Sequence, residues 1–390
     1  MSADVQALPR LAPNRREVIW AASACGVMSG AAIAPAVPLM EEALAGGSVI
    51  WGRVALVLPA LVIMLTGPWI GRRTAQMDQR KGFVTALCAL AGFGILGGFA
   101  TGFGWLLLSR IGLGLSTAAV LCFATAAIAA LYQGTERAQV VNRQSAINTF
   151  GGVVFVLLGG LLSQMGWRLP FVLYLLALPV AFFASGLNWK APVSQSTLRP
   201  DLKPLRRPLA TIALAMTAFY LIPVQAPYMA PLADVPALAG LTIATATLIS
   251  GITSWRIAEL TKSAPEQTVE SAAIISVILG LMEFGLGTSL PALLIAAALL
   301  GAGFGVLLPL TVRRIMAAGS PETANATAGL IASALYTGQV SASVLALLLT
   351  STGSGVPFVV LSLGLALASF LHWKRDRLKP WGRWIARNIA

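Results

Sequence analysis

The chain has 390 residues, of which 57% are hydrophobic and only 11% are charged. A water-soluble protein needs roughly a quarter of its residues charged to cover its surface, so this composition excludes an ordinary soluble fold and indicates that lipid is the main solvent. The formal net charge of +13 would suggest a polyanionic partner in a soluble protein. In a membrane protein the same charge first reports which side of the bilayer the basic residues occupy.

The residues that build metal sites and catalytic centres are few and scattered. Cys25, Cys88 and Cys122 fall in apolar runs without metal-ligand spacing, and His372, the single histidine, cannot form a zinc site by itself. No Gly-x-x-x-x-Gly-Lys-Ser/Thr phosphate loop occurs. The sequence therefore predicts no metal, no cofactor and no enzyme activity, with a membrane-embedded enzyme as the remote alternative.

Apolar runs of about 20 residues, the length that crosses a bilayer, recur about twelve times and lack the alternation of strands. We predict an all-α polytopic membrane protein with twelve transmembrane helices in two six-helix bundles. A polar, proline-rich segment lies almost midway and is expected to link them. The predicted domains are a cytoplasmic N-terminal tail (1–16), a first bundle (17–189), a cytoplasmic linker (190–208), a second bundle (209–373) and a basic cytoplasmic tail (374–390).

Basic residues gather on one face of this predicted topology. If the N-terminus is cytoplasmic and the chain crosses twelve times, all but three of the 27 Lys and Arg residues fall in cytoplasmic segments. The exceptions are Arg53, Arg110 and Arg168. The positive-inside rule therefore predicts cytoplasmic N- and C-termini. The expected location is a bacterial inner membrane. Nucleic acid is not expected as a partner, because the basic residues are spread over many separate loops.

The two halves of the sequence also resemble each other. Two short matches share one offset, namely 33–40 with 222–229, and Gly112 and Gly114 with Gly301 and Gly303. A parallel repeat of six helices implies a pseudo-twofold axis along the membrane normal, with a cavity between the halves. This arrangement is typical of an alternating-access transporter.

Six motifs occur in order along the predicted helices. The first half contains "APAVPLMEEAL" at the end of helix one, "RIGLGLSTAA" with Arg110 and Gly114 in helix four, and "GWRLPF" after helix five. The second half contains "YLIPVQAPYM", "GAGFGVLLP" and "YTGQVSASV" in helices seven, ten and eleven. Together they resemble the drug- and metabolite-efflux branch of the major facilitator superfamily. The resemblance implies a monomeric secondary active transporter that exports a small amphiphilic molecule, such as a drug, metabolite or siderophore-like compound, in exchange for protons.

Two alternatives to proton-coupled export stay open. One is an importer or facilitated carrier of a small organic anion, with Arg110 binding the anion. The other is a transport-dead membrane sensor or scaffold, which departures from the family pattern would permit. In helix five, the antiporter pattern Gly-Pro-x-x-Gly-Gly would fall on "FVLLGG" at 155–160, so Phe155 and Val156 replace Gly-Pro while Gly159 and Gly160 remain. This loss weakens the antiport assignment.

The loop between helices two and three also departs from the family signature, Gly-x-x-x-Asp-Arg-x-Gly-Arg-Arg/Lys. Counting from Gly71, Ala75 stands where the acidic residue is expected, and Arg80 is the other retained position. The resemblance implies that this acidic residue holds the cytoplasmic gate shut. We therefore expect a weaker inner latch and a balance shifted toward the inward-facing state, with Asp78 as the candidate replacement. The expected gating residues are Gly71, Ala75, Asp78, Arg80 and Gly114.

Charged residues inside a membrane are costly and mark functional sites. Arg110 is expected either to line the cavity as a cation or to extend to the outer headgroups. Glu283 is expected to exchange protons from within helix nine, or to be an interfacial carboxylate. Glu41 and Glu42 follow Pro38 at the outer end of helix one, and we expect them to line the outer rim, with a place in the coupling site as the alternative.

Polar and aromatic residues on the helices expected to line the cavity form the candidate substrate site. Such groups suit a largely apolar pocket with a few orienting hydrogen bonds, although each could instead pack helices together. Gln225 and Gln339 are the strongest candidates, because an amide in hydrocarbon needs a partner or water. The full set is Met28, Trp51, Gln144, Asn148, Tyr220, Gln225, Tyr228, Tyr336 and Gln339.

Overall fold

The computed structural model describes residues 15–45, 49–187, 201–318, 324–349 and 353–367, and these residues form helices and connecting turns without a strand. In this described part, 10 helices are long and apolar enough to cross a membrane, and two shorter apolar helices bring the crossings to the predicted twelve. The all-α polytopic fold is therefore confirmed. The C-terminal tail, most of the N-terminal tail and most of the linker lie outside the described residues, so the predicted domain boundaries stay predictions.

Seven α-helices form the first half. They are α1 Arg15–Ala31, α2 Val37–Ala45, α3 Val49–Ala75, α4 Gln79–Leu96, α5 Phe103–Leu131, α6 Gly134–Met165 and α7 Ala177–Ala184. The first crossing combines α1, a 3-10 turn at Ala34–Ala36 and α2. Pro35 lies in that turn, and its missing N–H interrupts the regular helix there. The sixth crossing combines a 3-10 helix, Leu169–Leu176, with α7.

The second half repeats this plan. Its helices are α8 Leu202–Gln225, α9 Pro236–Trp255, α10 Ile257–Ser263, α11 Glu266–Leu286, α12 Leu290–Ala318, α13 Ala324–Leu348 and α14 Val356–Leu367. α9 packs on α12 as α3 packs on α5, and α8 packs on α13 as α1 packs on α6. α8 begins inside the predicted linker, because the Asp201 side chain accepts a hydrogen bond from the Lys203 N–H at 2.9 Å and caps the helix.

Glycines on α5 and α12 show the register of the repeat. A side chain at Gly112 would meet α4 and one at Gly114 would meet α3, whereas Gly303 faces α11 and Gly305 faces α9. These are corresponding neighbours in the two halves. The sequence alignment instead paired Gly112 with Gly301, which faces α9. The repeat is therefore present, but its register in these helices differs by two residues from the one that the sequence suggested.

Successive crossings alternate in direction, so the start of α1 and the end of α3 lie at the same end of the bundle. We call this the basic end; Arg16 and Arg72 lie there, and Arg16 forms an ion pair with Glu136 of α6. The opposite end, where α2 ends and α3 begins, is called the distal end.

Glycines bring the two halves into close contact between α6 and α9. A Cβ on Gly160 would lie 2.9 Å from the Pro236 carbonyl oxygen, and a Cβ on Gly240 would lie 2.9 Å from the Val156 carbonyl oxygen. Backbones approach this closely only where side chains are absent or very small. Gly160, one of the two glycines that remain from the antiporter pattern, thus allows the two halves to pack closely near the distal end.

Candidate functional site between the two halves

A buried arginine joins the two halves at the distal end. Arg53 of α3 donates a hydrogen bond to Gln225 Oε1 of α8 at 2.6 Å and another to the Ala346 carbonyl of α13 at 3.1 Å. Its guanidinium carbon lies 4.6 Å from the centre of the Tyr228 ring. The Arg53 residue is only 3% exposed. These three partners belong to the second half, so Arg53 ties the first half to it.

The ends of two helices explain why a cation is held here. Gln225 is the last residue of α8, and Ala346 lies in the last turn of α13. Carbonyl groups in the last turn of a helix lack partners within the helix, and the helix dipole is negative there. Pro227 lies in the 3-10 turn that follows α8. This break places the Gln225 amide and the Tyr228 ring on the same arginine.

Glu41 of α2 completes this group, and we call Glu41, Arg53, Gln225 and Tyr228 the distal cluster. Glu41 is 3% exposed, and a Cβ on Gly52 would overlap its carboxyl group. The Tyr228 hydroxyl faces that carboxyl. Within the described residues, Glu41 Oε1, the Tyr228 hydroxyl and Gln225 Nε2 are buried without a hydrogen-bond partner. Glu41 is therefore enclosed beneath the distal end and not on its rim.

Arg110 is fully buried inside the first half. Its side chain donates hydrogen bonds to the Tyr174 hydroxyl at 3.1 Å and to the Gly94 carbonyl at 3.4 Å, and it lies over the rings of Phe171 and Tyr174. The Tyr174 hydroxyl in turn donates to the Ser29 carbonyl of α1 at 3.0 Å. This placement does not fit an arginine that extends to the headgroups. A role for Arg110 in transport stays a prediction.

Replacing Arg110 by methionine is expected to lower the melting temperature, with a smaller effect on substrate affinity. The change removes a donor from two buried acceptors, and an unsatisfied buried polar group costs about 1–3 kcal/mol. The melting temperature of the purified protein in detergent measures this effect. Arg137 is exposed, so Arg137→Met is the matched control and should melt like the unchanged protein. A melting temperature unaffected by Arg110→Met would contradict the structural role.

Glu283 does not occupy the desolvated position expected of a proton-exchanging carboxyl. Its side chain is exposed on the described surface of α11, and α11 packs chiefly against α12. Glu283 thus lies on a helix that packs mainly against α12 and not against the interface helices α3, α6, α9 and α13. The interfacial alternative fits this position better.

Gln144 and Asn148 meet at one serine. Their side-chain amides donate to Ser23 Oγ at 2.9 Å and 3.0 Å. The contact joins α6 to α1 within the first half. Ser23 could not be singled out from the sequence, because serine is common in membrane helices as a packing residue. Whether the two amides also touch substrate stays a prediction.

Two tyrosines of the candidate substrate site belong to the second half and contact the first half. The Tyr220 hydroxyl lies 3.1 Å from the position that a Cβ on Gly30 would take. Tyr336 packs against a cluster of the first half that contains Ile63 and Ile70. Both residues therefore lie between the halves, as expected of side chains that face a central cavity.

Three other candidates differ in exposure. Met28 is fully buried in α1 and Gln339 is half-buried in α13. Trp51 is 45% exposed at the distal end, where its ring centre lies 6.3 Å from that of Phe103. Trp51 is therefore the member of the predicted substrate set that fits an enclosed pocket least.

The predicted gating loop caps a helix at the basic end. Asp78 Oδ1 accepts a hydrogen bond from the Lys81 N–H at 2.8 Å and so caps α4. Arg80 is exposed beside it. Gly71 packs near Cys122, and Ala75 is the last residue of α3. The carboxylate of Asp78 thus already has a structural use, and its substitution for the missing gate residue stays a prediction.

Arg53 and the enclosed position of Glu41 were missed from the sequence. Arg53 was visible only as one of three basic residues outside the basic segments, and that isolation was the available signal. Glu41 was noticed but placed on the rim. Among the described residues, no group of three or more His, Cys, Asp or Glu side chains is placed to hold a metal ion.

Twelve crossings in two repeated halves, joined by buried polar contacts, define a membrane protein of the transporter class. Residues 19–282 match the Major Facilitator Superfamily, and the chain belongs to this family. It is therefore a multi-pass membrane transporter that acts on a small-molecule substrate. No curated protein sequence matches the chain.

Solved transporter structures share the fold along nearly the whole chain. A bacterial homolog of the human lysosomal transporter Spinster, in an inward-facing and occupied conformation, is 18% identical with a TM-score of 0.70, covering 93% of this chain and 96% of that one. The human organic anion transporter MFSD10 is 19% identical with a TM-score of 0.67, covering 92% and 99%. A point mutant of the nucleoside transporter NupG is 12% identical with a TM-score of 0.67, covering 91% and 98%. At these identities the likeness shows the fold alone.

Proposed function

We propose that the protein is a monomeric proton-coupled exporter of the bacterial inner membrane that works by alternating access. Its basic end faces the cytoplasm and its distal end faces the outside, as the distribution of Lys and Arg favours. The observation that carries the proposal is the hydrogen bonding of Arg53 across the halves to Gln225 and Ala346. A buried bond that joins two rigid halves at one end is what a gate requires, because it must break when that end opens.

The efflux direction is supported by the motif resemblance, including the "APAVPLMEEAL" end of the first crossing. The cargo we propose is a small amphiphilic drug, metabolite or siderophore-like compound, since two tyrosines and an amide contact the opposite half within a largely apolar core. Such a lining suits an apolar body with one or two polar groups. Protons are the proposed coupling ion.

A carrier of small organic anions is the second candidate function. The sequence assigned the anion to Arg110, but that side chain lies inside the first half. Arg53 is the buried cation that contacts both halves, so it is the better candidate for meeting an anionic group. The human organic anion transporter MFSD10 shares the fold.

Proteoliposomes that contain a trapped pH-sensitive dye test the proposal. A panel of amphiphilic cations, neutral compounds and organic acids is added with an imposed pH gradient. Proton-coupled export predicts dye responses to particular compounds, and accumulation of those compounds that is lost when nigericin collapses the gradient. Accumulation that ignores nigericin would remove proton coupling and favour the facilitated carrier. Liposomes without protein provide the control for passive leakage.

A further inference from the structure

The distal cluster contains a buried carboxyl to which the proposed function assigns no role. We propose that Glu41 is a proton-binding site that controls the distal end: the end closes when Glu41 carries a proton and opens more readily when Glu41 is ionised. This inference rests on the proposed alternating-access function and adds to it the residue at which the outside proton binds. Neither Arg110 nor Glu283, the charged candidates from the sequence, occupies such a position.

The surroundings of Glu41 come from three elements. α2 packs against α3, the Ala34–Ala36 turn and the Ala226–Tyr228 turn. The charged and titratable groups that face Glu41 from these elements are Arg53 and Tyr228. One carboxyl oxygen, Oε1, is buried against Gly52 and has no hydrogen-bond donor within the described residues. The site is thus built by both halves and exists as described only when the distal end is closed.

The chemistry of this site favours a neutral carboxyl while the end is closed. Burying an ionised carboxylate oxygen without a donor is far more costly than burying a neutral carboxyl group. The Arg53 charge, the Tyr228 hydroxyl and the backbone N–H groups of Gly52 and Arg53 oppose this by favouring the ionised form. Arg53 Nη1 and Nη2, however, donate to the Ala346 carbonyl and to Gln225. Desolvation therefore dominates, and the neutral form fits the closed cluster.

Opening the distal end would let water reach Glu41 and hydrate the ionised form. The closed state then binds the proton more tightly than the open state, so by linkage protons stabilise the closed state. The proton comes from water on the outside and binds to a carboxylate oxygen of Glu41. No other bond forms or breaks in this step.

A cysteine at Ala226 reports the opening of the distal end without any substrate. Ala226 is fully buried in the turn that faces α2, so a membrane-impermeant maleimide reaches it only when the end opens. Thr288 is exposed in the distal loop before α12, and a cysteine there gives the reference rate that corrects for thiol ionisation. Both reporters are placed in a background where Cys25, Cys88 and Cys122 are replaced by alanine.

The corrected labelling rate in right-side-out vesicles is expected to fall about tenfold as the outside pH is lowered from 8 to 5. Glu41→Gln, which mimics the protonated carboxyl, should give the low rate at every pH. Glu41→Asp should restore a pH response. Glu42 is the exposed neighbour on the same helix, so Glu42→Gln is the matched control and should behave like the unchanged protein.

Three results would overturn the proposal: a corrected rate that does not change with pH, a pH response that survives in Glu41→Gln, or a response lost in Glu42→Gln. The same vesicles separate this inference from the proposed function. If flux ignores the pH gradient while labelling keeps its Glu41-dependent response, proton coupling fails and the proton site stands. If flux follows the gradient while labelling ignores pH, Glu41 is excluded and coupling stands.

Discussion

Transport by the Arg53→Ala variant is expected to fall at least about tenfold, with the distal end open in most molecules. Removing Arg53 leaves two buried neutral acceptors without their donor, and an unsatisfied buried polar group costs about 1–3 kcal/mol. Here the loss falls only on the closed state, because the acceptors of Arg53, Gln225 and Ala346, lie in the other half. An equilibrium between two states separated by a few kcal/mol would be inverted. Flux in proteoliposomes and maleimide labelling at the Ala226 reporter measure the two effects.

Arg168 provides the matched control for Arg53. It also lies at the distal end, but its described contacts are with Ala100 and Trp167, both in the first half. Arg168→Ala should therefore leave labelling and flux close to those of the unchanged protein. Arg53→Lys should give intermediate labelling and flux, because the lysine ammonium keeps the positive charge but lacks the planar guanidinium that donates to two acceptors. Low labelling at the Ala226 reporter in Arg53→Ala would show that Arg53 does not hold the distal end closed.

Gly160→Ala is expected to weaken closure by a different route. The added methyl group would lie 2.9 Å from the Pro236 carbonyl oxygen and 3.1 Å from the Ala237 Cα. These are backbone atoms of the other half that cannot rotate away, and overpacking of this kind costs about 1–3 kcal/mol. We expect flux to fall about tenfold, since about 1.4 kcal/mol corresponds to a factor of ten. This overpacking cost applies only to the closed state, in which α6 and α9 are in contact.

Gly152 on the same helix is the matched control for Gly160. A Cβ there would meet side-chain carbons of Val27 and Thr247 at 3.4 Å and 3.7 Å, which is ordinary van der Waals distance. Gly152→Ala should therefore transport normally. Equal flux losses in the two variants would mean that close backbone contact at Gly160 does not limit closure.

Much of the fold could be predicted because each crossing is specified locally. The length and composition of the apolar runs identify twelve crossings, and Pro35 and Pro227 mark the places where the first helices of both halves are interrupted. The register of the repeat was harder to predict from the sequence. Glycines recur every two residues on α5 and α12, so a two-residue shift aligns glycine with glycine while exchanging the neighbouring helices that they face.

The candidate site was harder to predict because its members are distant in sequence. Arg53 and Gln225 are separated by 172 positions, and Arg53 and Ala346 by 293. Periodicity and motifs describe one helix at a time and cannot say which residues of two halves meet. Gln225 was singled out as an amide that needs a partner and Tyr228 as a candidate of the substrate site, whereas Arg53 was noted only as one of three basic residues outside the cytoplasmic segments. The burial of Glu41 depends on Gly52 across a turn, which no local pattern reports.

Arg110 also sets an electrical condition for the cargo. Its described partners are a hydroxyl group, a carbonyl group and aromatic rings, which orient the charge without cancelling it. At an effective dielectric constant of about 20, one unit charge shifts the energy of another about 10 Å away by about 1.7 kcal/mol. We therefore expect Arg110 to act as a fixed positive charge within the first half. If the translocation route passes within about 10 Å of it, cationic cargo is expected to be disfavoured relative to neutral or anionic amphiphiles, and the compound panel would reveal this preference as a difference in flux.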